Sequence, residues 1–254
     1  MGVDSGDLRS PPSLHLQNSS QLEFYRSQSN PPPRIVSAAI IVYSILIAMA
    51  FFWGYLAGRP HVLWNPTKST WVSCLIGLLA GTGFGATFVL LTRAAASKIA
   101  WAKELTIWLG SILGPISWRD AFVVAIFSSF GEEMFFRGAM QPNLGLTWTT
   151  IIFGLLHVAP RLRFASWTLL AGVLGLLFGI GAIWTGNLAG PIAAHFVINF
   201  FNLKLTSQMA ASATSEKLPQ VLGESSLTEH AIESNDQIDS HNYPNRHLNK
   251  HNQS

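Results

Sequence analysis

The stretch Gly131-Glu132-Glu133-Met134-Phe135-Phe136-Arg137-Gly138 sets two adjacent carboxylates and an arginine inside a long apolar run. Ionisable groups at membrane depth are costly, so they are rarely there without a partner or a task. At helical spacing Glu133 and Arg137 stand at i and i+4 with the acid first, the better order for an ion pair. Glu132 lies about 100° further round such a helix. It is free to face elsewhere, and neighbouring carboxylates in different surroundings can take different roles.

Working outward, the composition agrees with a membrane setting. Of 254 residues, 49% are hydrophobic and 11% charged, against roughly a quarter charged in ordinary soluble domains. Between Ala121 and Leu203 the only acids are Glu132 and Glu133, and the only basic residues are Arg137, Arg161 and Arg163. The net charge of +3 is small and spread along the chain. It reads as the flanking Lys and Arg of a polytopic protein and speaks against nucleic acid as a partner. The single cysteine, Cys74, offers neither a disulfide nor a Cys-based zinc site. No apolar run precedes Arg34, so the first span is expected to act as an uncleaved insertion signal.

The expected fold is all-α, a polytopic transmembrane helical bundle of about six spans. Residues 1–33 and 207–254 are polar and read as disordered tails around a transmembrane domain at 34–206. The spans are placed at Ile35 to Ala57, Trp71 to Thr92, Asp120 to Met140, Leu146 to Val158, Ala165 to Trp184 and Ile192 to Leu205. Glu104 to Leu113 reads as an interfacial helix ended by Gly114-Pro115, and Ser117 as the N-cap of the next. Pro142 and Gly145 are expected to turn the chain, and Gly77, Gly81, Gly83 and Gly85 to serve close helix packing. The positive-inside rule puts both termini in the cytoplasm, by default at a plasma (inner) membrane. Only Arg59 and Lys68 then fall on the outer side.

Three apolar helices thus each carry one polar patch: Glu132, Glu133 and Arg137; then His157; then His195 and Asn199, with Asn202 a turn later. Polar groups in hydrocarbon must find partners inside the protein, so the six residues are expected to converge on one buried pocket. The Glu133–Arg137 pair alone would be a structural bridge, a lone histidine an interhelical bond, and Asn199 interhelical glue. Together they suit addition of water to a carbonyl, with a carboxylate as general base and His and Asn donors for the oxyanion. No serine elbow, catalytic cysteine or H-E-x-x-H helix offers another route. The rival from a different class is a non-catalytic scaffold, an immunity-type role, or a peptide- or ion-binding site; a proton relay would need further ionisable residues, and the fifth span has none.

At these residues the sequence resembles the CPBP family of intramembrane endopeptidases, also called Abi or CAAX prenyl protease type 2 (Rce1-like). E-E-x-x-x-R is matched by Glu132, Glu133 and Arg137, F-x-x-x-H by Phe153 and His157, and H-x-x-x-N by His195 and Asn199. Order and separation fit over residues 104–203, as does the Trp184-Thr185-Gly186-Asn187 approach to the last motif. The fullest members of the family have about eight spans, which sets the upper bound on the expected count. The resemblance implies that Glu132 and His157 activate water, that His195 and Asn199 stabilise the oxyanion, and that Glu133 and Arg137 position Glu132. It leaves open an His/His/Glu zinc site made by Glu132, His157 and His195, although Asn199 beside His195 fits oxyanion binding better than ligation. The implied substrate is a peptide or lipidated protein at the membrane lipid bilayer.

Overall fold

The computed structural model describes residues 33–65, 67–158 and 164–241, with side chains for 35–65, 67–158 and 164–216. The expected tail before Pro33, the Pro160, Arg161 and Arg163 connection, and the residues after His241 lie outside this set. Among the described residues every named element is helical: α1 (Pro33–Leu56), α2 (Trp71–Lys98), α3 (Ala100–Leu113), α4 (Trp118–Glu132), a π-helical segment (Glu133–Met140), α5 (Gln141–Leu156), α6 (Ala165–Thr185) and α7 (Ala189–His241). Residues Met1–Ala211 form one compact unit and Ser212–Ser254 a second, whose described part is helical. Helix therefore continues past Ser207, where the sequence reading placed the start of a disordered tail.

Local chemistry sets the boundaries. Thr70 and Ser73 form a reciprocal capping box at the start of α2. Gly114, at φ 71°, ends α3, and the Ser117 hydroxyl caps α4 by accepting from the Asp120 amide. Pro142 does not turn the chain as expected, because in the first turn of α5 its missing N–H costs nothing. Gly145, at φ 81°, breaks the helix a few residues later.

Three helices are long and apolar enough to cross a membrane: Ile35–Leu56, Trp71–Lys98 and Ala165–Thr185. A fourth span is possible from Ala100–Leu113 with Trp118–Leu156, a pair bent by 98°. Among the described residues, three or four segments are thus span candidates by length and composition, against the expected six. Glu132 ends α4, Glu133 and Arg137 lie in the π segment, His157 follows α5, and His195 and Asn199 lie in α7. The three clear spans expose apolar side chains such as Ile41, Leu79, Leu90 and Leu169, and α5 does the same at Trp148, Leu155 and Leu156, as lipid contact requires. The chain is a polytopic helical membrane protein.

Glycines fix how closely the helices approach. A Cβ on Gly81 of α2 would lie 2.1 Å from the Gly190 carbonyl oxygen of α7, and one on Gly85 would lie 2.9 Å from that of Ala194. Gly77 makes the same contact less tightly, whereas Gly83 faces open space and takes no part. Further along α7, Lys204 Nζ donates to the Ile116 carbonyl at 2.6 Å and Ser207 Oγ accepts from the Ile116 amide. The stretch of α7 bearing His195 is thereby fastened on both sides.

Candidate active site

The π segment begins at Glu133, so its widened turn falls on the carboxylate pair. Such turns are frequent at functional sites. Glu133 is fully buried. Its Oε1 accepts from Arg137 Nη1 at 3.0 Å and lies 2.8 Å from His195 Nδ1. The predicted i, i+4 pair exists, but it is a three-member cluster in which the acid orients a histidine from another helix.

Phe153 accounts for the second motif in physical terms. The Arg137 guanidinium sits 4.2 Å from the Phe153 ring centroid, and that ring lies 4.4 Å from the His157 ring. The Phe153 carbonyl accepts from His157 Nδ1 at 2.8 Å. One residue thus supports the arginine with its face and fixes the histidine with its backbone. Arg137 Nη2 also donates to the Gly175 carbonyl of α6 at 3.2 Å. A Cβ on Gly175 would stand 2.9 Å from Phe153 and 3.3 Å from the guanidinium, so glycine makes room for both.

Both histidines are held by Nδ1, and both turn Nε2 toward Glu132. Glu132 Oε2 lies 3.8 Å from His157 Nε2 and 3.9 Å from His195 Nε2. These are too long for direct hydrogen bonds but suit a bridging water. This Oε2 is buried without a protein hydrogen-bond partner. Asn199, one turn beyond His195, donates Nδ2 to Ser128 Oγ at 2.9 Å, and Ser128 in turn bonds the Ala125 carbonyl. All six expected residues therefore gather here, in two sets: Glu133, Arg137 and His195 are bonded to one another, while Glu132, His157 and Asn199 share the wall of an apolar cavity of about 320 Å³ with His195.

Tyr43 of α1 completes the wall, and the sequence reading missed it. Its phenol interacts with Glu132 and lines the same cavity. Gly131 permits this, because a Cβ there would lie 3.0 Å from both Tyr43 Cβ and its carbonyl oxygen. Ser128 was also missed. The available signals were a tyrosine midway along an apolar helix and a glycine before the acid pair.

The donors a zinc ion would use are Glu132, His157 and His195. Among the described residues, however, no group of three His, Cys, Asp or Glu side chains is arranged to hold a metal ion. The gaps of 3.8 and 3.9 Å around Glu132 Oε2 are wide enough for a bridging water.

Fold and site together define a helical membrane protein with a buried acid–histidine cluster facing an apolar cavity. Residues 114–201 match the family model "Type II CAAX prenyl endopeptidase Rce1-like", and this segment is a domain of that family. The match takes in all three motifs and leaves out Tyr43. The chain is 38% identical over 79 residues to "Uncharacterized protein YpbD" of Bacillus subtilis (strain 168), which is 30% of this chain and 40% of that protein. The chain thus spans about two fifths of the length of the curated relative it matches. No solved structure matches.

Proposed function

We propose that this protein is an intramembrane endopeptidase that hydrolyses a peptide bond of a membrane-associated peptide or lipidated protein, with Glu132 as general base. The observation that carries the reading is the pair of 3.8 and 3.9 Å gaps between Glu132 Oε2 and the two histidine Nε2 atoms, on the wall of an apolar cavity. A water held there by Glu132 and His157 gives its proton to Glu132 as its oxygen attacks the scissile carbonyl carbon. His195 Nε2–H and the second N–H of the Asn199 amide stabilise the oxyanion. With Nδ1–H given to Glu133, an Nε2–H donor makes His195 the imidazolium. Glu132 and Glu133 then balance Arg137 and His195 in charge, which suits a site closed to water. Collapse of the intermediate breaks the C–N bond, and Glu132 returns its proton to the departing amine.

Tyr43 interacts with Glu132, whose Oε2, buried without a protein hydrogen-bond partner, is left for the water. The rest of the cavity is mostly apolar, with Thr92, Thr106, Asn202 and Thr206 among its lining, which suits an extended apolar peptide or lipid-modified segment. By the positive-inside rule both termini would face the cytoplasm, in a plasma (inner) membrane. The deciding experiment uses purified protein in lipid nanodiscs, offered transmembrane and lipidated peptides and followed by mass spectrometry. Wild type should cleave at a defined bond, with and without a strong chelator, and Glu132→Gln should lose about 10²- to 10⁴-fold in rate. Equal cleavage by both proteins would remove the peptidase reading.

A further inference from the structure

Arg59 and Lys68, the two basic residues that depart from the charge pattern of the rest of the transmembrane domain, come together at one end of the bundle. There the α1–α2 loop meets the α6–α7 loop. Trp64 bridges to Asn187, the Asn65 amide donates to the Gly186 carbonyl at 2.7 Å, and the Leu188 amide donates to that of Leu63 at 3.0 Å. Between these loops and the start of α5 lies a second cavity of about 750 Å³, more than twice the volume of the one at Glu132. Its lining includes Arg59, His61, Lys68 and Arg137, and no Asp or Glu.

Arg59 donates to the Pro142 carbonyl, and Lys68 Nζ to that of Ile183 at 2.6 Å. Those acceptors are neutral, so the bonds fix the side chains and leave their charge uncompensated. Two further lining groups are more than nine-tenths buried and have polar atoms without a hydrogen-bond partner: Arg137 through Nε and Gln141 through Oε1. The depth is marked by tryptophans. Trp64, Trp71 and Trp184 sit at this end of the bundle with 46%, 77% and 85% of their surface exposed, and indole rings prefer the headgroup level of a bilayer. A cationic cleft between transmembrane helices at that level has the chemistry that takes anionic lipid headgroups.

We propose that this cavity binds the phosphate headgroup of an anionic phospholipid, with Arg59 and Lys68 as its principal contacts. The floor of the cleft is Arg137, which also bonds Glu133, so an occupied cleft touches the back of the acid–histidine cluster. The proposal stands independently of the peptidase reading, because lipid retention is read without any turnover.

The test is native mass spectrometry of the full-length protein released from mixed micelles holding equal phosphatidylglycerol and phosphatidylcholine. Wild type should retain phosphatidylglycerol in preference by roughly tenfold. The Arg59→Gln/Lys68→Gln variant should fall to near parity, and the charge-preserving Arg59→Lys/Lys68→Arg variant should keep the preference. Arg93→Gln/Lys98→Gln, at the opposite end of α2, should not alter it. If the double glutamine variant fails to fold, Lys68→Gln alone should lower the preference severalfold. Equal retention of the two lipids by wild type would overturn the proposal, as would an unchanged preference in the Lys68 variants. Binding of inorganic phosphate with no lipid preference would also overturn it and assign the cleft to a soluble anion.

Discussion

The two cavities have no lining residue in common and differ in what matters for function. The larger has permanent cations, no acid and Trp64 in its lining. The smaller has one free carboxylate oxygen, two histidines and two asparagines in a mostly apolar wall. Size therefore points away from the chemistry: a reaction needs groups that can exchange protons, and a charge clamp needs groups that cannot. Arg137 belongs to the boundary between them, lining one cavity while ordering the cluster beside the other.

Substitutions can break or sharpen this contrast. The largest effect on chemistry should come from Glu132→Gln, which removes the base while lipid retention at the far cavity stays at the wild-type level. Next is Arg137→Ala, which leaves Glu133 buried without its counter-charge. A broken buried pair costs about 3–5 kcal/mol, measurable as earlier unfolding in a thermal or detergent titration, and both cavities should suffer. An unfolding midpoint unchanged by Arg137→Ala would mean that the ion pair does not hold the segment.

Gly81→Ala should cost roughly 1–3 kcal/mol by forcing α2 and α7 apart, since its Cβ would meet the Gly190 carbonyl oxygen at 2.1 Å. Gly83→Ala, on the open side of the same helix, should leave the unfolding midpoint unchanged and serves as the control. The smallest expected effect is that of Tyr43→Phe. Losing the hydroxyl that interacts with the carboxylate should lower kcat by about tenfold with KM little changed. A rise in KM alone would make Tyr43 part of the peptide-binding wall and not a positioning group for Glu132.

Much of the site was legible beforehand because polar side chains in apolar helices carry unusual information. Glu132, Glu133, Arg137, His157, His195 and Asn199 had few places to go but toward one another. The number of spans was less legible: three or four described segments are candidates by length and apolarity, against the six expected, and α5 exposes Trp148, Leu155 and Leu156 although Phe153 on the same helix packs on the polar cluster. Tyr43 was not legible, since a tyrosine in a hydrophobic helix is compatible with an interface, a core or a site, and no spacing ties it to Glu132 across the intervening helices. The π-helical turn at Glu133 was equally hidden, because the choice between one backbone hydrogen-bond register and the next rests on side-chain packing around the segment.

By itself, then, the sequence determined the all-α membrane class and which side chains must be sheltered from lipid, because an unpaired charge in hydrocarbon costs more than a fold can ordinarily spare. Only the tertiary structure decided the pairing. It gave Glu133 to Arg137 and His195, left Glu132 facing both Nε2 atoms, brought Tyr43 in over Gly131, and gathered Arg59 and Lys68 around a cleft of their own. Those outcomes depend on how closely helices distant in the chain approach, and that is set at a few glycine contacts no local pattern describes.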